Sequence, residues 1–88
     1  MLKLDLTHDA LRFLRTLPGK QYKQVVGTMM NLLKEPMPQD SRPLIGYPYR
    51  RVDVGEYRII YDVHNDTLRV FLAGKRNDNA VYKALPRK

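Results

Sequence analysis

The sequence predicts an α+β domain in which an N-terminal strand and a helical hairpin pack on an antiparallel sheet. Runs rich in Val, Ile, Tyr and Phe at residues 49–54, 57–63 and 67–73 have the length and composition of strands. Gly, Asn and Asp at residues 55–56 and 65–66 are typical of the tight turns that join neighbouring strands. The three runs therefore predict an antiparallel meander.

The residues before the meander predict the strand and the two helices. Leucines alternate with charged residues over residues 2–6, which predicts a half-buried strand. Thr7 is a typical N-cap for a short helix over residues 8–16, and an amphipathic helix follows over residues 19–34. The predicted order is β-α-α-β-β-β with a short C-terminal tail, and the hairpin covers one sheet face.

Length and composition exclude several classes of protein. We expect a single domain over residues 1–88, since a chain of this length has room for one core. The absence of cysteine excludes disulfides and thiolate metal sites. Two distant histidines make a zinc site unfavourable, so we expect no metal and no cofactor.

No apolar run approaches the ~20 residues of a membrane span, and the N-terminus is too charged for a signal peptide, which predicts a cytoplasmic protein.

The basic residues are unevenly distributed along the chain. The formal net charge is +7 and the sequence pI is about 9.9. Residues 69–88 contain six Lys or Arg residues and one acidic residue. Residues 1–68 contain ten Lys or Arg residues and eight acidic residues. A basic surface that is only solvated is the alternative, but this skew favours a polyanionic partner.

Strand alternation divides the arginines of the meander between its two faces. Arg51, Asp53 and Arg58 are predicted on the face left open by the helices, and Arg50 on the opposite face. Arg76, just after the last strand, would converge with Arg51 and Arg58 across the open face. Converging guanidinium groups suit phosphate binding and stabilise charge that develops on a phosphoryl group. Arginines that are solvated or paired with carboxylates remain an open alternative.

The last predicted strand also has two rows of side chains. We expect its apolar row against the helices and its other row on the open face. The apolar row is Leu68, Val70 and Leu72, and the other row is Arg69, Phe71, Ala73 and Lys75.

Several motifs together resemble a known family. The run Tyr-Arg-Ile-Ile-Tyr at residues 57–61 follows Gly55-Glu56 and precedes Gly74-Lys75-Arg76 and Val81-Tyr82. With the helical turn at Leu17-Pro18 and the approach to the sheet at residues 44–48, this combination resembles the RelE branch of the RelE/ParE toxin superfamily. The resemblance covers nearly the whole chain and implies a RelE-like fold.

The resemblance implies a small toxin of a type II toxin–antitoxin system that cuts messenger RNA in the ribosomal A site. In this chemistry a ribose 2′-hydroxyl attacks the adjacent phosphate and the 5′-oxygen leaves, without a metal. The implied partners are a cognate antitoxin, the ribosome and mRNA, with no membrane partner, and the toxin alone is expected to be a monomer.

The resemblance also assigns roles to individual residues. The implied catalytic residues are Arg51, Arg58, Arg76 and Tyr82, with Asp53 as a further candidate. The implied RNA-binding residues are Arg50, Lys75 and Lys83. Stacking on an RNA base is the implied role of Tyr82, although its ring would also pack well at a sheet edge.

Asp53 departs from the family pattern, which often has a basic residue there with the role of general base. Three interpretations are open. Asp53 is itself the base, or Arg50 supplies the missing positive charge through a shifted register, or activity is weakened. An Asp held by Arg51 as a structural partner is at least as consistent with the sequence, since neighbouring arginines make a carboxylate a weak base.

Two other functions belong to the same resemblance. A toxin of the ParE type poisons DNA gyrase, and an inactive toxin only binds its antitoxin. The presence of both Arg76 and Tyr82 favours the nuclease, while Asp53 keeps the inactive toxin open.

Overall fold

The computed structural model describes residues 1–75. Along the chain these residues form strand β1 (Lys3–Leu6), helices α1 (His8–Arg15) and α2 (Gly19–Lys34), and strands β2 (Arg42–Pro43), β3 (Arg50–Val54), β4 (Tyr57–His64) and β5 (Thr67–Lys75). The predicted fold class and the order β-α-α-β-β-β are confirmed, with the two-residue β2 as an addition. Neither helix is long and apolar enough to cross a membrane.

The five strands form one sheet in the order β1-β5-β4-β3-β2. β2 to β5 pair antiparallel, as the meander predicts, but β1 pairs parallel with β5. The sheet is therefore mixed rather than wholly antiparallel. A parallel pair needs a long connection between its strands, and here the two helices and three intervening strands supply it.

Local signals in the sequence set the ends of the helices. The Thr7 hydroxyl accepts a hydrogen bond from the Ala10 N–H (3.2 Å), which caps α1. Gly19 follows Pro18 directly at the start of α2. At the other end, Glu35 has extended dihedral angles, because a residue before proline avoids the helical region.

The main core lies between the helices and one face of the sheet. Helical residues of this core meet apolar residues of β3, β4 and β5. Its buried members are Ala10, Leu14, Val25, Met29, Leu32, Leu33, Val52, Ile59, Tyr61, Leu68, Val70 and Ala73. Tyr61 is fully buried, and its hydroxyl donates a hydrogen bond to the Pro36 carbonyl (2.6 Å). This bond ties the centre of the sheet to the segment that follows α2.

A bulge changes the face on which the side chains of β5 lie. Ile60 pairs with Leu72 and Tyr61 with Val70, so Phe71 is an extra residue between the two pairs. Beyond the bulge, Ala73 is buried in the helix-side core. Lys75 lies opposite Tyr57, whose ring also packs on that core.

The expectation that Ala73 and Lys75 share the open face with Arg69 is therefore wrong. Simple alternation holds through Val70 and Phe71 but is offset for the residues after Phe71, because a bulge adds one residue to one strand only. Thr7 holds the bulge in place: its N–H donates to the Val70 carbonyl (3.1 Å) and its hydroxyl to the Phe71 carbonyl (2.5 Å).

We expect Tyr61→Phe to lower the free energy of unfolding by about 1 kcal/mol, because it removes the donor to the Pro36 carbonyl and keeps the ring. In a domain of this size the melting temperature should fall by roughly 4–8 °C. Tyr22→Phe, at a ring that is 45% exposed, is the matched control and should melt with the parent. Equal melting of all three proteins would show that the buried hydrogen bond contributes nothing.

Candidate functional site

The candidate site lies on the sheet face opposite the helices. The register places Asp53 of β3 directly opposite Arg58 of β4, and Arg51 opposite Ile60. Side chains that face each other across an antiparallel pair share a face, so Arg51, Asp53 and Arg58 are neighbours. The structure thus brings together the three residues that strand alternation predicts on the open face.

Two arginines converge on the carboxylate of Asp53. Arg58 donates a hydrogen bond to each carboxylate oxygen, from Nε to Oδ1 at 2.8 Å and from Nη2 to Oδ2 at 3.3 Å. Arg51 Nη1 lies 3.5 Å from Oδ2, and all three side chains are less than one third exposed. Charge-assisted bonds of this kind are stronger and more directional than neutral ones. Asp53 therefore fixes the orientation of the Arg58 guanidinium and attracts that of Arg51.

The cluster of Arg51, Asp53 and Arg58 carries a formal net charge of one positive unit, since two guanidinium groups share one carboxylate. The planar fork of a guanidinium matches the oxygens of a phosphate as well as those of a carboxylate. The partly buried position makes such a contact stronger than it would be in water. This arrangement is suited to binding a phosphate or to stabilising charge that develops on one.

The geometry bears on the two roles that the sequence leaves open for Asp53. Its principal partner is Arg58, directly across the strand pair, rather than Arg51. Two cationic neighbours stabilise the ionised carboxylate and reduce its tendency to take up a proton. This environment is typical of a carboxylate that positions arginines.

Arg50 lies on the other side of β3 from Arg51. It pairs with Tyr61, whose ring is in the helix-side core, and its Nη2 donates to the Ser41 hydroxyl (2.9 Å). Ser41 is itself buried. The observed register thus does not bring Arg50 to Asp53, contrary to the shifted register considered from the sequence.

The other predicted site residues fall elsewhere. Lys75 is exposed at the end of β5, on the side of Tyr57 rather than that of Arg58. Arg76, Tyr82 and Lys83 lie outside the described residues, so the convergence of Arg76 with Arg51 and Arg58 stays a prediction. Within residues 1–75, His, Asp and Glu side chains nowhere gather in a group of three that could hold a metal ion.

Beside the Arg51–Asp53–Arg58 cluster, the open face carries an aromatic strip that the sequence interpretation missed. We define the strip as Tyr47, Tyr49 and Phe71, which pack on the buried Leu44 and Ile60. The rings of Tyr47 and Tyr49 are nearly parallel at 6.4 Å, and those of Tyr49 and Phe71 are 4.5 Å apart. The sequence signals are the tyrosines on either side of Pro48 and the alternation that places Phe71 in the same row as Arg69.

A second arginine–carboxylate pair lies beyond the aromatic strip. Arg69 donates to both oxygens of Asp62, at 2.8 and 2.6 Å, and its guanidinium carbon lies 5.3 Å from the centre of the Phe71 ring. The hydrogen bond to Asp62 raises the pKa of Arg69, and the negative charges of Asp62 and Asp5 act in the same direction. An open cleft of about 410 Å³ adjoins the pair, lined by Pro48, Tyr49, Asp62, His64 and Arg69.

The fold is shared with solved toxin structures. The isolated E. coli RelE toxin matches with a TM-score of 0.76 and 24% sequence identity, over 94% of this chain and 93% of that chain. The archaeal RelE–RelB complex from Pyrococcus horikoshii matches with a TM-score of 0.76 and 23% identity, over 86% and 96%. A YoeB/ParE toxin from Agrobacterium tumefaciens matches with a TM-score of 0.74 and 19% identity, over 85% and 99%.

These likenesses show a common fold. No curated protein matches the chain by sequence. Residues 4–79, however, match the family described as the ParE toxin of the type II toxin-antitoxin system parDE. Because this match extends over most of the chain, the protein belongs to the ParE toxin family and is a type II toxin of the RelE/ParE superfamily.

Proposed function

We propose that the protein is a ribosome-dependent endoribonuclease that cleaves mRNA in the ribosomal A site. The observation that carries the proposal is the convergence of Arg51 and Arg58 on Asp53, on a sheet face that the helices leave uncovered. Membership of a type II toxin family supports a toxic activity, and the net charge of +7 favours a polyanionic target.

The proposed reaction is a transesterification within the RNA chain. The 2′-oxygen of a ribose forms a bond to the adjacent phosphorus, and the bond from phosphorus to the 5′-oxygen breaks. The 2′-hydroxyl gives up its proton and the leaving 5′-oxygen takes one up, which yields a 2′,3′-cyclic phosphate and a free 5′-hydroxyl. Arg51 and Arg58 stabilise the additional negative charge on the phosphoryl oxygens in the transition state, with Arg76 proposed as a third donor.

The proposed role of Tyr82 is to stack on an RNA base, which suits an aromatic ring. Lys75 and Lys83 are the proposed electrostatic contacts to RNA, whereas Arg50 is withdrawn from that role because it bonds to the buried Ser41 on the helix side of β3. Such contacts add affinity with little sequence dependence, because a lysine or arginine meets the phosphate backbone as a charge.

We further propose a cognate antitoxin as the regulatory partner. Two of the matched structures are toxin–antitoxin complexes, E. coli RelBE and the RelE–RelB complex from Pyrococcus horikoshii. A segment rich in acids would complement the open face and the basic residues at 74–88.

The chain also has an apolar groove of about 330 Å³ between β1, α1 and α2, with exposed Leu11, Tyr22 and Met30 in its lining. An amphipathic helix with acidic flanks would fit this groove as a second contact, in addition to the contact with the open face or residues 74–88, since Arg15 lies at the groove.

Gyrase poisoning is the second candidate function. The family match carries the ParE name, and one of the structural matches is a YoeB/ParE toxin. Primer extension on messages after brief induction separates the two functions: codon-phased cuts support the nuclease. A DNA-damage response without cuts supports the gyrase poison, and binding of antitoxin without either effect supports an inactive toxin.

We expect Arg76→Ala and Tyr82→Ala each to lose most of the toxicity while the protein stays folded, because the first removes a charge contact and the second removes the stacking ring. Loss of one preorganised contact to a transition state typically lowers the rate ~100-fold or more. Growth after induction and cleavage of ribosome-bound message measure the effect, with a melting curve as the folding control. Full growth arrest by both variants would overturn the site assignment.

We expect Asp53→Asn to lower the free energy of unfolding by about 1–2 kcal/mol, because the amide loses the charge that Arg58 and Arg51 share. Cleavage should fall only in proportion, if Asp53 positions the arginines. Asp66→Asn is the matched control: its ion pair with Lys3 is well exposed and worth ~0–1 kcal/mol. Loss of all cleavage by an Asp53→Asn protein that melts normally and still binds ribosomes would instead identify a general base.

We expect the antitoxin to cover the open face or to displace residues 74–88. Hydrogen exchange of the toxin with and without the product of the neighbouring open reading frame measures this directly. Slower exchange should appear in β3 and β4 or in residues 74–88. Protection restricted to other parts of the chain would contradict the expectation.

A further inference from the structure

The Arg69–Asp62 pair and its cleft are not used by the proposed chemistry. They lie on the same sheet face as Arg58, four residues further along β4, which is about 13 Å at ~3.3 Å per residue. The aromatic strip of Tyr47, Tyr49 and Phe71 lies between the two arginine–carboxylate pairs. A single-stranded RNA with its phosphate at Arg58 can therefore continue over the strip towards the cleft.

The charges around the cleft favour a nucleobase over a phosphate. Arg69 faces Asp62 on β4 and Asp5 on β1, because the register makes both its cross-strand partners. Two carboxylates beside one guanidinium repel a phosphate. This contrasts with the Arg51–Asp53–Arg58 cluster, where two guanidinium groups surround one carboxylate.

The hydrogen-bonding groups of the pair suit the edge of a base. Arg69 uses Nε and Nη2 to hold Asp62, and its guanidinium has five N–H donors while a carboxylate has about four acceptor sites. The pair therefore presents donors and acceptors side by side, in positions fixed by the two hydrogen bonds and by the Phe71 ring beneath. Nucleobases present the complementary combination of N–H and acceptor groups on their edges.

The cleft has the size and the walls that a base requires. Its volume of about 410 Å³ is within the range of small-ligand sites. Tyr49 and His64 contribute rings to its lining, and stacking on such rings holds an unpaired base.

We propose that this cleft binds one base of the message close to the cleaved phosphate, and that Asp62 and Arg69 set the base preference of cleavage. The inference rests on the proposed nuclease function and adds to it the residues that determine specificity. A pair that only joined β4 to β5 would affect every substrate equally. A pair that reads a base changes the ratio of rates between bases at one position.

The test uses purified protein and ribosomes programmed with messages that differ in one base of the A-site codon. Single-turnover cleavage rates are measured for the parent, Asp62→Asn, Arg69→Lys and the control Asp66→Asn, with a melting curve for each. The parent and the control should show a spread of about tenfold or more between bases at one position, which is typical of a good pair of hydrogen bonds to a base edge.

Asp62→Asn should reduce that spread to less than about threefold at the same position, because the amide replaces one acceptor by a donor. Arg69→Lys keeps the charge but loses the planar fork, so it should reduce the spread as well. Ratios that match those of the parent in both variants would overturn the proposal, whatever happens to the overall rate. Equal parent rates for all bases at every position would also overturn it.

A parent protein that does not cut at all would refute the nuclease function and leave the cleft to be tested separately. In that case a short oligoribonucleotide is titrated into labelled protein and followed by NMR. Saturable shifts at Tyr49, His64 and Arg69, weakened in Asp62→Asn, would support a base-binding cleft. Unchanged signals at these three residues would reject it.

Discussion

Two hydrogen bonds from Thr7 to the consecutive carbonyls of Val70 and Phe71 hold the point at which β5 changes face. The same threonine caps α1 through its hydroxyl, so the start of the first helix and the bulge share one residue. Phe71 lies on the open face as alternation from Arg69 predicts, and the bulge then brings Ala73 into the helix-side core. Without the extra residue, the later half of β5 would present the opposite set of side chains.

The open face is electrostatically uneven, although the chain as a whole is basic. At one end, Arg51 and Arg58 outnumber Asp53, whereas at the other end Asp62 and Asp5 outnumber Arg69. The aromatic strip separates the two ends. Its rings keep water away from the charged groups at its edges, so the interactions of those groups are less screened. The face therefore has one end with an excess of cationic groups and one end with an excess of carboxylates, a property that net charge alone does not convey.

Local signals in the sequence were sufficient to predict the two helices and the three strands of the meander. Periodicity and turn residues predicted both helices and the strands of the meander within one or two residues, because these features depend on neighbours in the chain. The parallel pairing of β1 and the bulge at Phe71 depend on contacts between distant residues, which local patterns do not contain. At the site, alternation predicted that Arg51, Asp53 and Arg58 lie on the same face of the sheet. The close contact of Asp53 with Arg58 follows from the hairpin register, which alternation does not give.

The position of β5 between β1 and β4 has a consequence for how the chain folds during its synthesis. β5 bonds to a strand that emerges 64 residues earlier, as the separation of Thr7 from Phe71 shows. Contacts of such long range form slowly, because a large loop must close before they contribute. A nascent chain that has emerged only through β4 lacks the strand that β1 requires, so its helix-side core stays open. The open face therefore stays incomplete until β5 has emerged, because β5 supplies Arg69 and Phe71 to it.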